Sequence, residues 1–305
     1  MIRKTLLSII APLLLSFLSL IFCPNSYAEQ TEQASDTAAE QNSNGPVVKD
    51  EFEWQFILDL SVVYDPKIIA GIEQEDPWHY FMPGVLVDLS YKGFFLQSNQ
   101  RRSNMLFGGI EFGYQLLVKD NWQLDLIGKA YMQGYDSESL IEYGGGDEDL
   151  IEGLRERDGT AGIALRYSYY FPDALFTLDL ASAHTGDDEN GDHVQGFIFD
   201  SFYSYLLPYR NWDIYLGAGL TYYSQNIVDY YIGVSASEVK EGRPEYTADD
   251  GFRTQLEIYA QHPISANWSF NTGITHSIFS SNVKDSPIVD TNHITQVMVG
   301  VLYVF

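Results

Sequence analysis

Apolar and polar residues alternate along most of the chain from residue 52 onward. In the first such stretch, Phe52 to Val63, the apolar positions are Phe52, Trp54, Phe56, Leu58, Leu60 and Val62, and the polar ones include Glu53, Gln55, Asp59 and Ser61. Successive side chains of a β-strand point to opposite sides of the sheet. This period of two therefore predicts strands that have one apolar and one more polar face.

The same alternation predicts about twelve strands in an all-β chain. They are expected at Phe52–Val63, Tyr80–Tyr91, Phe94–Arg101, Leu106–Val118, Trp122–Tyr135, Thr160–Phe171, Leu175–His184, Val194–Leu207, Trp212–Gln225, Phe252–Ala260, Trp268–Phe279 and His293–Phe305. The links between them are alternately short and longer or polar. Short turns on one side and longer loops on the other are typical of a transmembrane antiparallel β-barrel, which is the fold we predict.

The start of the chain has the pattern of a secretory signal peptide. It carries Arg3 and Lys4, an apolar stretch from Leu6 to Phe22 and the small-residue cleavage pattern Ser26-Tyr27-Ala28. We therefore predict a signal peptide at residues 1–28, a polar and flexible periplasmic leader at 29–50 and a barrel at 51–305. The expected location after cleavage is the bacterial outer membrane.

Composition excludes several kinds of function. The only cysteine, Cys23, lies in the predicted signal peptide, so disulfides, cysteine nucleophiles and cysteine metal sites are not expected in the mature protein. The formal net charge is -25, which excludes binding to nucleic acid through its phosphates. After Phe22 no apolar run approaches the length of a spanning helix, so the apolar residues must face the membrane by alternation.

Four of the five tryptophans are predicted to lie on one rim of the barrel. Trp122, Trp212 and Trp268 each begin a strand after a short turn, and Trp54 lies near the start of the first strand. Indole rings prefer the boundary between membrane and water. We expect these four residues to form an aromatic girdle on the periplasmic side, with Trp78 at the opposite rim.

The last predicted strand places Val297, Val299, Val301, Tyr303 and Phe305 on one face. The strand is expected to pair with the first one and close the barrel, and outer-membrane lipid is an expected partner of the barrel. Tyr303 and Phe305 are predicted to act as the membrane-insertion signal, which would be recognised by the barrel-assembly machinery.

The predicted inward positions of the strands carry both acidic and basic side chains. They include Glu53, Asp59, Asp88, Glu111, Asp125, Lys129, Arg166, Asp179, Asp200, Asp213, Arg253 and Glu257. The excess of acids favours a narrow cation-preferring channel if water passes. Alternatively, the three basic residues pair with these acids and fill the lumen, since an unpaired buried charge is costly.

No catalytic, cofactor or metal site is predicted. The acidic links around Asp136 to Asp158 and Thr185 to Asp192 lack the ligand spacing of a Ca²⁺ loop, so solvated loops are the simpler interpretation. Ser182 and His184 share one face of a strand, but nothing marks a third catalytic group or an oxyanion hole. We therefore do not expect an enzyme.

Two segments resemble signatures of the MipA/OmpV family of outer-membrane proteins. The first is Tyr230-Tyr231-Ile232-Gly233-Val234-Ser235, with Tyr246 downstream, and the second is Asp285-Ser286-Pro287-Ile288-Val289. Tyr231, Gly233, Val234, Ser235, Asp285, Ser286 and Pro287 are the family-motif residues. One departure is Ile232, where the family usually has Phe.

The resemblance implies a non-enzymatic envelope protein. Family members are described as a scaffold that links a lytic transglycosylase to a peptidoglycan synthase, or as osmotically regulated or adhesive surface proteins. The family has no catalytic residue to transfer to this chain. The implied partners are therefore the two murein enzymes, and a surface or adhesion role remains an alternative beside the channel.

Overall fold

Twelve antiparallel strands form a closed barrel in the computed structural model. The structure describes residues 51–70, 72, 77–98, 109–144, 147–187, 191 and 193–305. The strands are β1 Glu53–Tyr64, β2 Phe81–Tyr91, β3 Phe94–Ser98, β4 Ile110–Val118, β5 Trp122–Met132, β6 Thr160–Tyr170, β7 Ala174–Asp187, β8 His193–Tyr209, β9 Trp212–Tyr223, β10 Gly251–Pro263, β11 Trp268–Phe279 and β12 His293–Val304. Each strand pairs with its sequence neighbours, and β1 pairs with β12. The predicted fold is therefore confirmed.

The seam between the first and last strands joins Ile57 to Val304 and Tyr64 to Val297. In β12, Met298 and Leu302 are buried inside the barrel, whereas Val297 and Val299 are exposed on its outer face. The row of residues that begins with Val297 and Val299 therefore faces outward. Alternation produces this result because one face of every strand must meet lipid and the other must meet the lumen.

Short turns join the strands at one end of the barrel and longer links join them at the other. The turns 92–93, 119–121, 171–173, 210–211 and 264–267 define the short-turn rim, which corresponds to the periplasmic side. The links 65–80, 133–159, 224–250 and 280–292 meet at the long-loop rim. The first strand begins at the short-turn rim.

The long links contain short helices that alternation did not predict. They are α1 Ser137–Tyr143, α2 Glu148–Ile151, α3 Gln225–Ile232 and α4 Ser281–Lys284, together with 3-10 turns at Pro77–Tyr80 and Ala236–Glu238. None of the helices in the described part of the chain is long and apolar enough to cross a membrane. The link 133–159 is thus partly helical and not simply a solvated loop.

Several predicted boundaries differ from the structure. Strand β9 ends at Tyr223, two residues before its predicted end at Gln225, because Gln225 already begins α3. Strands β7 and β8 extend further toward the long-loop rim than expected. The predicted signal peptide 1–28, the leader 29–50, the end of the third strand at Arg101 and the start of the fourth at Leu106 lie outside the described residues.

Gly300 permits the close approach of β1 and β12 at the seam. A Cβ atom at this position would lie 2.1 Å from Ser61 Oγ and 2.7 Å from the carbonyl oxygen of Leu60. Gly300→Ala should therefore push the two strands apart and lower the free energy of unfolding by about 1–3 kcal/mol. The urea midpoint of the folded barrel measures this loss.

Gly219→Ala is the matched control, because its nearest neighbour is a side-chain atom of Phe202 at 3.2 Å. It should shift the midpoint less than Gly300→Ala does. Equal midpoints for the two variants would show that the seam is not specially constrained at Gly300.

Candidate functional site

Helix α3 lies inside the mouth of the barrel at the long-loop rim and packs against its wall. It buries Ile227, Val228, Tyr230, Tyr231 and Ile232. These side chains pack in one cluster with inward-facing residues of the wall, namely Ala164, Ala181, Ala183 and Ile198. We call α3 the plug helix. This part of the link 224–250 therefore folds inward at the barrel mouth.

Small wall residues make room for the plug helix. Gly196 lies on the inner face of β8, and a Cβ atom there would approach Ser224 Oγ to 2.3 Å and Ile227 Cγ1 to 2.6 Å. Alanines on the inner faces of β6 and β7 complete this recess. Because protein interiors are closely packed, the helix and the recess fix each other's position.

The two family-motif segments meet beside the plug helix. Ser286 is buried, and its hydroxyl donates a hydrogen bond of 2.6 Å to the carbonyl oxygen of Ile232. Val234 pairs with Tyr246 through backbone hydrogen bonds in both directions. The motif residues therefore form one structural unit, which locks the link 224–250 to the link 280–292.

A second set of contacts joins the plug helix to the link 133–159. The Tyr231 hydroxyl donates to the carbonyl oxygen of Asp158 at 2.8 Å and lies 2.7 Å from Thr160 Oγ1. The Tyr230 hydroxyl accepts a hydrogen bond of 2.8 Å from the Asp158 backbone N–H. The Tyr135 hydroxyl also donates to the Tyr231 carbonyl oxygen. Both motif tyrosines are thus held at their polar ends while their rings are buried.

Gly233, Ser235, Asp285 and Pro287 shape the same unit. A Cβ atom at Gly233 would lie 2.4 Å from the carbonyl oxygen of Asp229, so glycine is required where α3 ends. Ser235 forms a capping box with Glu238. Asp285 is the C-cap of α4 and is exposed, and Pro287 is half-buried. The predicted motif residues are therefore close together, but their roles are structural.

A buried ion pair ties this unit together. Arg157 Nη2 lies 2.9 Å from Glu238 Oε1 and also donates to the Gly233 carbonyl oxygen at 3.2 Å. Burial opposes ionisation of Glu238, but hydrogen bonds from the backbone of Arg155 and Ser235 and the charge of Arg157 hold its pKa below the usual value. The carboxylate form of Glu238 thus stabilises the closed mouth.

Acidification should loosen the mouth through Glu238. A carboxyl group whose pKa is lower in the folded state contributes stability above its unfolded pKa, and this contribution is lost as the pH falls through the folded pKa. Burial raises the pKa of Asp229, which acts in the opposite direction, so Glu238→Gln is needed to isolate the effect. We expect the parent's thermal midpoint to fall more than that of Glu238→Gln from about pH 6 to about pH 3.

The comparison between the two proteins is internally controlled, since they differ only at position 238. Parallel midpoint curves would contradict the assignment of a stabilising charge to Glu238.

A network of buried ion pairs lies further inside the lumen, on the inner faces of β4 to β8. Arg166 is bonded on two sides, with Nη1 2.6 Å from Glu111 Oε1 and Nε 2.7 Å from Asp179 Oδ1. Lys129 Nζ lies 2.6 Å from Asp179 and 3.5 Å from Asp200. All five side chains are buried. We call Glu111, Lys129, Arg166, Asp179 and Asp200 the ion-pair belt.

The register of the sheet brings the belt together. Arg166 is the direct cross-strand partner of both Asp125 and Asp179, and Asp179 in turn faces Asp200. Thr221 donates a hydrogen bond of 2.8 Å to Asp200, and Arg253 Nη2 lies 3.4 Å from the Thr221 hydroxyl.

The predicted pairing of the basic residues with inward acids is therefore confirmed for Lys129 and Arg166. Glu53, by contrast, lies exposed at the short-turn rim.

The four predicted girdle tryptophans all lie at the short-turn rim. Trp122, Trp212 and Trp268 are the first residues of β5, β9 and β11, and Trp54 is the second residue of β1. Ring contacts extend this aromatic row to the end of β12, with Trp268 4.9 Å from Tyr303 between ring centroids. Trp78 lies at the other rim. Their membrane role stays a prediction.

The alternative catalytic residues are not part of the filled lumen. Ser182 and His184 are exposed on the outer face of β7, whereas Ala181 and Ala183 point inward. Within the residues that the structure describes, no three His, Cys, Asp or Glu side chains are grouped as a metal site would require.

Sequence reasoning missed Arg157, Glu238 and Arg243. The capping-box spacing of Ser235 and Glu238 was a readable signal for a helical turn. Arg243 is also buried and donates to the carbonyl oxygens of Glu238 and Leu150 at 2.8 Å and 2.6 Å. No local pattern marked these arginines, because Arg157 binds Glu238 and Arg243 binds Leu150 across two different links.

Comparison with known proteins agrees with this architecture. Residues 58–305 match the family model described as MltA-interacting protein MipA. The MltA-interacting protein of Escherichia coli (strain K12) is 24% identical over 208 residues, which cover 68% of this chain and 79% of that protein. Outer membrane protein OmpV of Vibrio cholerae is 24% identical over 197 residues, with 60% and 72% covered. The solved NanC porin structure has a TM-score of 0.41 at 9% identity and covers 81% of this chain and 98% of that one. The chain is an outer-membrane β-barrel and belongs to the family of MltA-interacting protein MipA.

Proposed function

We propose that this protein is a sealed, non-enzymatic barrel that serves as an envelope scaffold for a murein lytic transglycosylase and a peptidoglycan synthase. The observation that carries the proposal is that the plug helix and the ion-pair belt place packed, buried side chains inside the lumen. A barrel filled in this way offers its rims, and not its interior, to other molecules. The name of the Escherichia coli relative, MltA-interacting protein, supports a transglycosylase as partner.

The short-turn rim is the proposed docking face. Murein enzymes lie on the periplasmic side, and the polar leader predicted at 29–50 joins the barrel at this rim. Asp120 and Asp173 are exposed at two of its turns. Small turns contribute little area on their own, so the rim and the leader together form the proposed contact surface.

Co-purification with the two enzymes tests the scaffold. The full-length mature barrel should retain a lytic transglycosylase, and Asp120→Lys/Asp173→Lys should weaken this retention. Glu241→Lys/Glu245→Lys is the matched control, because it makes the same charge change at exposed positions of the long-loop rim. Failure of the parent to retain either enzyme would overturn the proposal.

A narrow cation-preferring channel is the second candidate. The observation that favours it is the excess of carboxylates in the lumen, where Asp59 and Asp125 are buried in addition to the acids of the belt. Acidic linings favour cations. Proteoliposomes would then admit small cations faster than anions of similar size, and equal exclusion of both would eliminate this candidate.

A further inference from the structure

Two hairpin turns at the short-turn rim share one construction. In Tyr91-Lys92-Gly93-Phe94 and in Tyr209-Arg210-Asn211-Trp212, a strand ends on tyrosine, a basic residue occupies the tip and the next strand begins on an aromatic residue. The flanking aromatics are cross-strand partners, Tyr91 with Phe94 and Tyr209 with Trp212. The same arrangement of rings and charge therefore occurs at two separate places on the rim.

The rings of both turns face outward, toward lipid. Tyr91 and Tyr209 are 46% and 56% exposed, on strand faces opposite to the buried residues of the lumen. Lys92 Nζ lies 5.1 Å from the centre of the Tyr91 ring, and the Arg210 guanidinium lies 5.3 Å from that of Tyr209. Each cation is thus held beside the lipid-facing wall, at the depth where the strands end, and does not extend freely into the periplasm.

Both basic residues occupy a backbone conformation that glycine or asparagine would adopt more easily. Lys92 has a φ of 50° and Arg210 a φ of 56°. A side chain in this left-handed region carries a steric cost. Among the described residues neither cation forms an ion pair, although the chain is strongly acidic. A positive charge is therefore placed at both tips despite its backbone cost and without a carboxylate partner among the described residues.

We propose that these two turns bind phosphate groups of phospholipids in the periplasmic leaflet of the outer membrane. The basic side chain at the tip contacts the lipid phosphate, and the two outward aromatic rings flank the glycerol and upper acyl region. Aromatic and basic side chains at a membrane boundary favour these contacts. The inference goes beyond the scaffold proposal and does not depend on it.

The turn at Lys119 is a natural control. Lys119 is also exposed at the short-turn rim, but it follows Val118, not tyrosine, and Asp120 comes directly after it. Lys119 therefore carries a positive charge that follows no tyrosine ring and that lies beside the carboxylate of Asp120. Lys119→Gln therefore separates a built site from a general effect of positive charge.

Native mass spectrometry of the full-length mature barrel with phosphatidylglycerol tests the proposal. Lys92→Gln/Arg210→Gln should lower the affinity of the two sites about fivefold each, since each removes one cation near an anionic lipid. Lys119→Gln should leave lipid retention unchanged. Tyr91→Leu/Tyr209→Leu keeps both charges and should also lower retention, and the gel mobility of the unheated barrel verifies folding of every variant.

Competition experiments distinguish a bound phospholipid from a bound phosphate ion. Inorganic phosphate should not displace phosphatidylglycerol, and diacylglycerol, which lacks the phosphate, should bind weakly to the parent. Unchanged retention in Lys92→Gln/Arg210→Gln, an equal loss in Lys119→Gln or displacement by inorganic phosphate would each overturn the assignment of lipid sites to these turns.

Discussion

Replacing Arg166 with methionine is expected to lower the free energy of unfolding of the barrel by about 3–5 kcal/mol. Arg166 bonds Glu111 and Asp179 simultaneously, and all three side chains are buried. Without the guanidinium, two carboxylates remain in the lumen with Lys129 as the nearest cation of the belt. Methionine preserves most of the side-chain length, so the loss reports chiefly the uncompensated charge. Urea unfolding of the refolded barrel in lipid vesicles measures it.

Lys119→Met is the control for this prediction, because it removes a basic residue that is exposed at the rim. It should leave the urea midpoint close to that of the parent. A parent-like midpoint for Arg166→Met would contradict the view that the ion-pair belt is a stabilising barrier.

Changing both Tyr303 and Phe305 to serine is expected to reduce the amount of folded barrel in the outer membrane by about tenfold or more. Phe305 is 66% exposed on the outer face, and its ring lies 5.0 Å from that of Tyr303. Tyr303 in turn contacts Trp268, so the pair links the closing strand to the rim tryptophans. Serine removes the apolar surface that would enter the membrane first.

The matched control is Trp78→Ser, since Trp78 is 79% exposed at the opposite rim and has no part in the seam. The amount of folded protein is read from its shifted mobility in unheated gel samples. Normal assembly of the double variant, or an equal defect in Trp78→Ser, would show that Tyr303 and Phe305 are not the insertion signal.

The alternation of apolar and polar residues predicted the barrel well, because successive side chains of a membrane-spanning strand face the lipid and the lumen in turn. The starts of β3, β5, β6, β9, β11 and β12 were predicted to the residue, and the pairing of β12 with β1 was also predicted. At the long-loop rim the predicted ends of β5 and β7, Tyr135 and His184, differ from the observed ends at Met132 and Asp187. At this rim the chain leaves the membrane, and contacts among the links determine where the hydrogen bonding between strands ends.

The filled lumen was predictable only in part. The inward positions of Lys129 and Arg166 followed from the period of two, but the choice between an open and a filled lumen needed the cross-strand register. The buried pair of Arg157 and Glu238 joins residues that are 81 positions apart, and no local pattern encodes such a contact. The family motif marked the right segments without revealing that they pack against each other.

Closure of the lumen is the central claim, and single-channel recording across a planar bilayer tests it most directly. Membranes formed from proteoliposomes that contain the folded parent barrel should show no steady conductance steps, because the plug helix and the ion-pair belt occupy the lumen at two successive levels. Reproducible, long-lived steps from the parent protein would contradict the account and would favour a channel.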